Sequence, residues 1–75
     1  MKKINLGILG GGQLGSMLCM AAKKLNIYTT VWSDDPMSPA KEFADEFIFS
    51  NYNDDEKFNY FTEKVDKITF EFENI

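Results

Sequence analysis

Three glycines spaced as G-x-G-x-x-G are the residues best suited to form a ligand site in this 75-residue sequence. They are Gly10, Gly12 and Gly15. Glycine permits a tight turn and lets backbone N–H groups approach a ligand without an intervening Cβ. A helix that begins at such a turn favours phosphate through its unpaired N–H groups and partial positive charge. The pattern therefore predicts a phosphate or nucleotide site, although a purely geometric turn stays open. A Walker-type loop is excluded, because no Gly-Lys-Ser or Gly-Lys-Thr follows.

Four acidic residues stand near the predicted ends of strands, where carboxylates could bind hydroxyl or amino groups. Asp34 and Asp35 come about 20 residues after the glycines, where dinucleotide-binding folds carry an acid for the ribose. We expect Ser33 to follow the second strand directly, so solvated turn residues are the alternative for both aspartates. Glu71 and Glu73 alternate with aromatic residues near the end of the sequence. They are interpreted either as ligand-binding carboxylates at the carboxyl end of a strand or as solvated residues beyond it.

The hydrophobic pattern on either side of the glycines changes from that of a strand to that of a helix. Residues 4–9 form a short apolar run, which predicts a buried strand. Apolar residues then recur at steps of three and four, which predicts an amphipathic helix that ends near Asn26, a candidate C-cap. The predicted apolar stripe of that helix comprises Leu14, Met17, Leu18, Ala21, Ala22 and Leu25.

Three further segments predict strands, because they are rich in β-branched and aromatic residues or alternate in hydrophobicity. A strand, a helix and a second strand make a βαβ unit with parallel strands. We therefore predict one Rossmann-like α/β domain over residues 1–75. Its parallel sheet has about four strands in the order 3-2-1-4, with helices on both faces. The three segments are residues 27–32, 46–49 and 67–73, and a short helical turn is predicted over residues 40–45.

A second helix is predicted between the third and fourth strands. Asp54 or Asn53 is a candidate N-cap, and the helix runs to about Lys64. Phe58 and Phe61 are three residues apart and are expected to face the sheet. Core packing explains both aromatic side chains without a ligand.

Size, charge and composition restrict the function classes that remain. At 75 residues a single core supplies little net stability, which argues against a free-standing enzyme with two substrates. The net charge is −4, so neither nucleic acid nor an anionic membrane is expected as a partner. The sequence has no histidine and one cysteine, Cys19, so we expect no metal site and a reduced thiol. We find no signal peptide and no long apolar run, which favours a cytoplasmic protein.

Three blocks of the sequence resemble one family and together span almost the whole chain. They are Gly-Gly-Gly-Gln-Leu-Gly within residues 8–15, Ser-Pro-Ala followed by Ala-Asp-Glu within residues 38–46, and Glu-Phe-Glu-Asn within residues 68–75. In this order and at this spacing they resemble the amino-terminal, pre-ATP-grasp domain of 5-(carboxyamino)imidazole ribonucleotide synthase. That family consists of cytoplasmic, ATP-binding ligases of purine (IMP) biosynthesis and belongs to the ATP-grasp superfamily.

The resemblance implies a reaction and a set of contact residues. The family carboxylates aminoimidazole ribonucleotide with ATP and bicarbonate, and its ATP-grasp lobes hold ATP and Mg²⁺. Its amino-terminal domain helps to hold the ribonucleotide, and its ATP-grasp lobes supply most catalytic groups. We therefore expect no catalytic residue, metal ligand or cofactor site in this chain. The substrate-binding positions implied for this chain are Gly12, Gln13, Leu14, Glu71 and Glu73.

Two positions depart from the family pattern, and the ATP-grasp lobes are not part of the sequence. Ser33 stands where members commonly carry an aspartate, and Ser16 stands where a basic residue often follows Gly15. We therefore expect a C-terminally truncated domain that is inactive by itself and whose partner is the ATP-grasp region, in cis or as a separate chain. The alternatives are a NAD(P)-binding Rossmann module and a non-catalytic fragment or interaction domain, which includes a homodimer.

Overall fold

The computed structural model describes residues 4–70, in which strands and helices alternate along the chain. The predicted third strand and second helix are confirmed, and the predicted helical turn is present as a short 3₁₀ turn. In chain order the elements are β1 Asn5–Leu9, α1 Gln13–Lys24, β2 Tyr28–Ser33, the 3₁₀ turn Pro39–Glu42, β3 Glu46–Phe49, α2 Asp55–Lys64 and β4 Lys67–Phe70.

The four described strands form one parallel sheet in the order β3-β2-β1-β4, as predicted. β1 lies inside the sheet, with Ile8 beside Val31 of β2 and Leu9 beside Phe70 of β4. Because all pairings are parallel, the carboxyl ends of the strands meet at one edge of the sheet. This is the edge at which open α/β sheets bind ligands.

Helices cover both faces of the sheet, which also agrees with the prediction. α1 and the 3₁₀ turn lie on one face, where Cys19 and Ala40 pack against Ile8. Burial raises the pKa of the Cys19 thiol. α2 lies on the other face, where the buried residues are Trp32, Ile48 and Phe61.

α2 begins at the predicted cap. Asp54 is its N-cap, and the carboxylate accepts a hydrogen bond from the Lys57 N–H at 3.1 Å. Phe61 is buried, as expected for a residue that faces the sheet. Phe58 also approaches Trp32, with ring centroids 6.3 Å apart, but it is 51% exposed. The sheet-facing side of α2 is thus only partly covered.

The buried face of α1 differs from the predicted apolar stripe. Gly15, Ser16, Cys19 and Ala22 are the buried residues, and all of them are small. Small side chains let the helix lie close to the sheet and the 3₁₀ turn, so the larger side chains are turned outward. Ala22 is the buried member of the predicted stripe and Leu18 is half-buried. The exposed members are Leu14, Met17, Ala21 and Leu25.

The end of α1 lies one residue earlier than predicted. Leu25 is the C-cap, and Asn26 follows it with a φ of 61°. The Ile27 N–H donates to the Ala22 carbonyl at 2.8 Å, and the Asn26 N–H donates to the Lys23 carbonyl at 3.1 Å. These bonds define a Schellman motif, in which a left-handed asparagine ends the helix and directs the chain into β2.

One predicted element, the fourth strand, extends beyond the described residues. The fourth strand is confirmed over Lys67–Phe70. Its predicted continuation with Glu71 and Glu73 lies outside residues 4–70. Of the helices in the described part of the chain, none combines the length and the apolar character needed to span a membrane.

Candidate functional site

A cleft opens at the carboxyl ends of β1 and β2, beside the glycine turn. Its volume is about 200 Å³. The glycine turn forms one wall, the loop after β2 forms another, and an aromatic residue closes the side near β3. The lining residues are Gly11, Gly12, Ser33, Asp34, Asp35, Ser38, Pro39 and Tyr52.

The glycine turn is fixed by contacts with β2 and with the Ser-Pro-Ala segment. Gly10 has a φ of 105°, which favours glycine, and its N–H donates to the Trp32 carbonyl at 2.8 Å. The Gly11 carbonyl accepts hydrogen bonds from the Ser38 hydroxyl and from the Ala40 N–H. A Cβ added at Gly11 would lie 2.9 Å from the Ser38 Cβ and would also meet the Ser38 hydroxyl oxygen. Gly11 is therefore needed for the close approach of the two segments.

The amino terminus of α1 presents backbone N–H groups beside this cleft. Gly12 is the N-cap and has no side chain with which to cap the first turn. The Ser16 N–H donates to the Gly12 carbonyl at 3.0 Å, so the N–H groups of Gln13 and Leu14 precede the first intrahelical bond. No acidic side chain lies in the first turn. Of the three predicted residues, Gly12 lines the cleft, whereas Gln13 and Leu14 follow it in the first turn of α1 and are not among the lining residues. This helix end carries partial positive charge, and its contact with a substrate stays a prediction.

The prediction that Ser33 follows β2 is wrong by one residue, and this changes the assignment of the two aspartates. Ser33 ends the strand, is 3% exposed, and accepts a hydrogen bond from the Asp35 N–H at 3.1 Å through its hydroxyl. The Asp35 carboxylate accepts from the Met37 N–H at 2.9 Å and so shapes the loop. Asp34 follows the strand directly, is exposed, and lines the cleft.

Three cleft residues had no predicted role in the sequence: Ser38, Pro39 and Tyr52. The sequence feature that could have indicated a contact with Ser38 is Gly11. The G-x-G-x-x-G spacing does not require a glycine at this position, so its presence implies that another residue lies close to it. No pattern indicates Tyr52, which lies between β3 and α2. Its hydroxyl donates to the Trp32 carbonyl at 3.5 Å.

β4 ends beside the glycine turn. Phe70, the last described residue of β4, lies opposite Leu9, and Gly10 follows Leu9 in the chain. The structure therefore places the end of the described part of β4 next to the predicted phosphate-binding turn. Glu71 and Glu73 fall outside the described residues, so their contact with the cleft stays a prediction.

Two features of the chain bear on whether it could hold a metal ion or a nucleotide. Within residues 4–70, no group of three or more His, Cys, Asp or Glu side chains is placed to hold a metal ion. The glycine turn lacks the lysine that contacts the phosphates in a P-loop.

The fold and the cleft together define the class of domain. The model of the family described as ribonucleotide synthetase preATP-grasp domain matches residues 1–75. The chain belongs to this family, which confirms the resemblance inferred from the three sequence blocks.

The relatives are N5-carboxyaminoimidazole ribonucleotide synthases. The Staphylococcus haemolyticus enzyme is 46% identical over 70 residues, which are 93% of this chain and 19% of that enzyme. The structure of the Staphylococcus aureus synthetase complexed with ADP matches with a TM-score of 0.88 at 39% identity, over 99% of this chain and 20% of that one. The Thermotoga maritima synthetase matches with a TM-score of 0.86 at 39% identity, over 96% and 20% of the two chains. This chain thus spans about a fifth of the length of these relatives and corresponds to their amino-terminal domain.

Proposed function

We propose that this chain is the substrate-binding domain of a purine-biosynthesis ligase of the ATP-grasp type. That ligase carboxylates aminoimidazole ribonucleotide to N5-carboxyaminoimidazole ribonucleotide with ATP and bicarbonate. One observation carries the proposal: in a member of the preATP-grasp family, the uncapped amino terminus of α1 opens onto a cleft at the carboxyl ends of β1 and β2. The ribonucleotide offers a phosphate, ribose hydroxyls and an amine, and the cleft has groups that complement them.

The glycine turn serves the ribose-phosphate end of the substrate. The N–H groups of Gln13 and Leu14 donate to its oxygens, and Gly12 lets the ligand approach the backbone closely. The absence of an acidic side chain in the first turn of α1 supports this role, because a carboxylate there would repel a phosphate.

The glutamates after β4 serve the hydroxyl and amino groups. Glu71 follows Phe70, whose partner across the sheet is Leu9, immediately before the glycine turn. A carboxylate next to the cleft accepts hydrogen bonds from a ribose hydroxyl or from the amine, and Glu73 supplements it. The task of both is to orient the amine for carboxylation, and not to transfer a proton.

ATP and Mg²⁺ belong, in this proposal, to the ATP-grasp region of the ligase, linked in cis or present as a separate chain in the cytoplasm. The resemblance implies that those lobes supply the nucleotide site. We expect these 75 residues by themselves to release no phosphate from ATP in the presence of bicarbonate and the ribonucleotide.

A backbone NMR titration of the chain with aminoimidazole ribonucleotide tests the proposal, with NADH and ATP as separate controls. We expect the ribonucleotide to shift the amide signals of Gln13, Leu14 and Glu71. Shifts at the glycine turn and Asp34 with NADH alone would favour a dinucleotide-binding module instead. No response to the ribonucleotide at millimolar concentration would reject substrate binding by this domain.

Two isosteric variants separate a specific contact from a general charge effect. Glu71→Gln removes the negative charge and one of the two acceptor oxygens, and is expected to weaken ribonucleotide binding about tenfold, the usual effect of losing one charged hydrogen bond. Glu63→Gln removes an equal charge from the exposed surface of α2 and is the control. Equal affinities of the two variants would contradict the assignment of Glu71.

A further inference from the structure

One residue separates the cleft beside the glycine turn from a second cavity on the α2 face of the sheet. The second cavity has a volume of about 200 Å³ and lies between α2 and β4. Its walls are almost entirely apolar and include the buried residues Trp32 and Phe61. Of the residues that the structure describes around the two cavities, Tyr52 is the one that lines both. Tyr52 therefore forms the wall between a polar cleft and an apolar cavity.

The position of the Tyr52 side chain is fixed by contacts with β2. Its ring meets the Trp32 ring at an angle of 67°, with the centroids 5.5 Å apart. Its hydroxyl donates to the Trp32 carbonyl at 3.5 Å. The Trp32 indole N–H in turn donates to the Ser50 hydroxyl at 2.9 Å, so the ring that Tyr52 contacts is itself oriented. A side chain that is held in this way presents one defined surface to the cleft.

Tyr52 and the glycine turn are hydrogen-bonded to the same oxygen atom. The Trp32 carbonyl accepts from the Gly10 N–H at 2.8 Å as well as from the Tyr52 hydroxyl. Gly10 directly precedes Gly11 and Gly12, which line the cleft. The end of β2 therefore holds the aromatic wall and the glycine wall of the cleft in a defined relation to each other.

The volume of the cleft limits which part of a ribonucleotide it holds. Sites that enclose a whole drug-sized ligand commonly have about 300 to 1,000 Å³. The cleft has about 200 Å³, so it holds only part of the proposed substrate. In the proposed function the phosphate lies at the N–H groups of Gln13 and Leu14, beside the cleft, and the amine lies near Glu71. The pentose joins these two groups and is therefore the part that enters the cleft.

The chemistry of the cleft walls suits a pentose. The face of a tyrosine ring carries partial negative charge, and the C–H groups of a sugar ring carry partial positive charge, so the two pack together. The remaining walls are polar and include the side chains of Ser33 and Ser38. A pentose has C–H groups to place against an aromatic ring and hydroxyl groups to direct at polar walls.

We propose that Tyr52 is a specificity-determining residue that packs against the pentose of the bound ribonucleotide. The cleft thereby favours ligands that carry a phosphorylated pentose. This inference rests on the proposed function, from which it takes the positions of the phosphate and the amine. A ligand that lacks the base keeps the contact with Tyr52, whereas a ligand that lacks the sugar ring loses it.

Three ligands that share a phosphate test this contact. They are aminoimidazole ribonucleotide, ribose 5-phosphate, which lacks the base, and glycerol 3-phosphate, which lacks both the base and the sugar ring. NMR titration gives their dissociation constants for the 75-residue chain and for Tyr52→Leu, which replaces the aromatic ring with an apolar side chain. We expect Tyr52→Leu to weaken the binding of the ribonucleotide and of ribose 5-phosphate by the same factor, about tenfold. The affinity for glycerol 3-phosphate should change by less than about twofold.

Two further variants separate binding from structure. Tyr52→Phe keeps the ring and is expected to restore the affinity for ribose 5-phosphate that Tyr52→Leu loses. Tyr60→Leu is the matched control, because Tyr60 is 45% exposed on α2 and is not among the residues that line either cavity. It removes a hydrogen bond to Glu46 and should leave the affinities for all three ligands unchanged. If circular dichroism shows that Tyr52→Leu does not fold, Tyr52→Met takes its place.

The pattern of affinities across the three ligands distinguishes the outcomes that would overturn the contact. Equal weakening of all three by Tyr52→Leu would mean that Tyr52 only supports the shape of the cleft. Weakening of the ribonucleotide alone would place the base, and not the pentose, against the ring. Unchanged affinities in Tyr52→Leu would overturn the contact and leave the proposed function standing. No binding of the ribonucleotide to the natural chain would overturn both.

Discussion

The polar groups at the amino end of the sheet are hydrogen-bonded within the protein, whereas those at the carboxyl end border a cleft. At the amino end, Asn5 uses its backbone and side chain together: its N–H donates to the Asp66 carboxylate at 2.8 Å, and its amide nitrogen donates to the Lys64 carbonyl at 3.1 Å. Its amide oxygen accepts from the Thr30 hydroxyl at 2.9 Å. The amino end is therefore closed by hydrogen bonds between neighbouring segments.

At the carboxyl end, polar groups border the cleft. Gly12 and Asp34 line the opening, and the N–H groups of Gln13 and Leu14, which follow Gly12, precede the intrahelical bonds of α1. Groups whose partners lie within the protein contribute stability, whereas groups directed at a cleft contribute binding. Substitutions at the amino end should therefore lower stability and leave binding unchanged, and most substitutions at the carboxyl end should do the reverse.

Gly11 is the exception at the carboxyl end and should give the largest effect. In Gly11→Ala the added methyl would overlap the Ser38 side chain, so either the Ser-Pro-Ala segment or the turn must move. We expect a loss of about 2 to 3 kcal/mol in the free energy of unfolding, typical of overpacking, together with loss of the cleft. Urea denaturation measures the first effect and ligand titration the second.

Gly12→Ala is the matched control for that experiment. Gly12 lies in the same turn with a φ of −72°, which any residue adopts. Its replacement should cost less than about 1 kcal/mol, the range of helix N-cap changes. Equal destabilisation by both alanines would mean that the contact between Gly11 and Ser38 does not fix the turn.

Asp45 should give the next largest effect, and only on stability. Its carboxylate accepts hydrogen bonds from the Thr29 N–H at 2.9 Å and from the Thr29 hydroxyl at 3.3 Å, which ties the start of β2 to the residue before β3. Asp45→Ala removes the acceptor from a threonine that is 1% exposed. We expect a loss of about 1 to 2 kcal/mol by urea denaturation, with unchanged ribonucleotide affinity.

Asp45→Asn sharpens that prediction, because the amide keeps one acceptor oxygen. Its loss of stability should be smaller than that of Asp45→Ala. A change in ligand affinity for either variant would contradict the separation of the two ends of the sheet.

Glu46, which begins β3 at the same amino end, should show a smaller effect that depends on pH. Its carboxylate accepts from the Tyr60 hydroxyl at 2.6 Å and lies 2.7 Å from the Lys64 ammonium. Burial acts to raise the pKa of Glu46, but the hydrogen bonds from Lys64 and Tyr60 outweigh it and lower the pKa below its ordinary value of 4.5. The same contacts raise the pKa of Lys64.

The sign of the pH dependence follows from the lowered pKa. The ionised carboxylate stabilises the fold above about pH 4.5, and this contribution is lost as the pH falls through the folded-state value. Glu46→Gln should therefore be less stable than the natural chain near neutral pH and approach it in acid. Urea denaturation across this range measures the difference, and Glu63→Gln, which removes an equal charge from the exposed surface of α2, is the control. If Glu46→Gln stays less stable than the natural chain in acid, the shape of the side chain, and not the loss of its charge, is responsible.

The elements that could be predicted from the sequence are those whose signals are local. α2 carries its own N-cap at Asp54, and β3 is a short apolar run between polar turns. The buried face of α1 could not be predicted from hydrophobicity, because Ser16 and Cys19 are buried where large apolar residues such as Met17 were expected. Close packing against the sheet selects small side chains there, and a hydrophobic pattern does not measure size.

The site divides in the same way. The glycine turn could be predicted because its spacing is contained in a few adjacent residues. The contact between Gly11 and Ser38 joins positions 27 residues apart, so only the fold reveals it. β2 ends one residue later than predicted. Ser33 remains in the strand because its carbonyl accepts a hydrogen bond from the Ser50 N–H. That displacement makes Asp34 the first residue of the loop.

Asp34 should therefore give the smallest change in stability and the most direct test of the open end of the sheet. It is exposed at the cleft, so Asp34→Asn should alter the free energy of unfolding by less than about 0.5 kcal/mol. Removing a negative charge near a bound phosphate should raise ribonucleotide affinity about twofold, and more at low salt.

Asp35→Asn, which removes the same charge and keeps an acceptor for the Met37 N–H, is the control. Isothermal titration at two salt concentrations measures both variants. A loss of affinity confined to Asp34→Asn would instead make this carboxylate an acceptor for a ligand hydroxyl, because only a direct contact distinguishes it from its neighbour of equal charge.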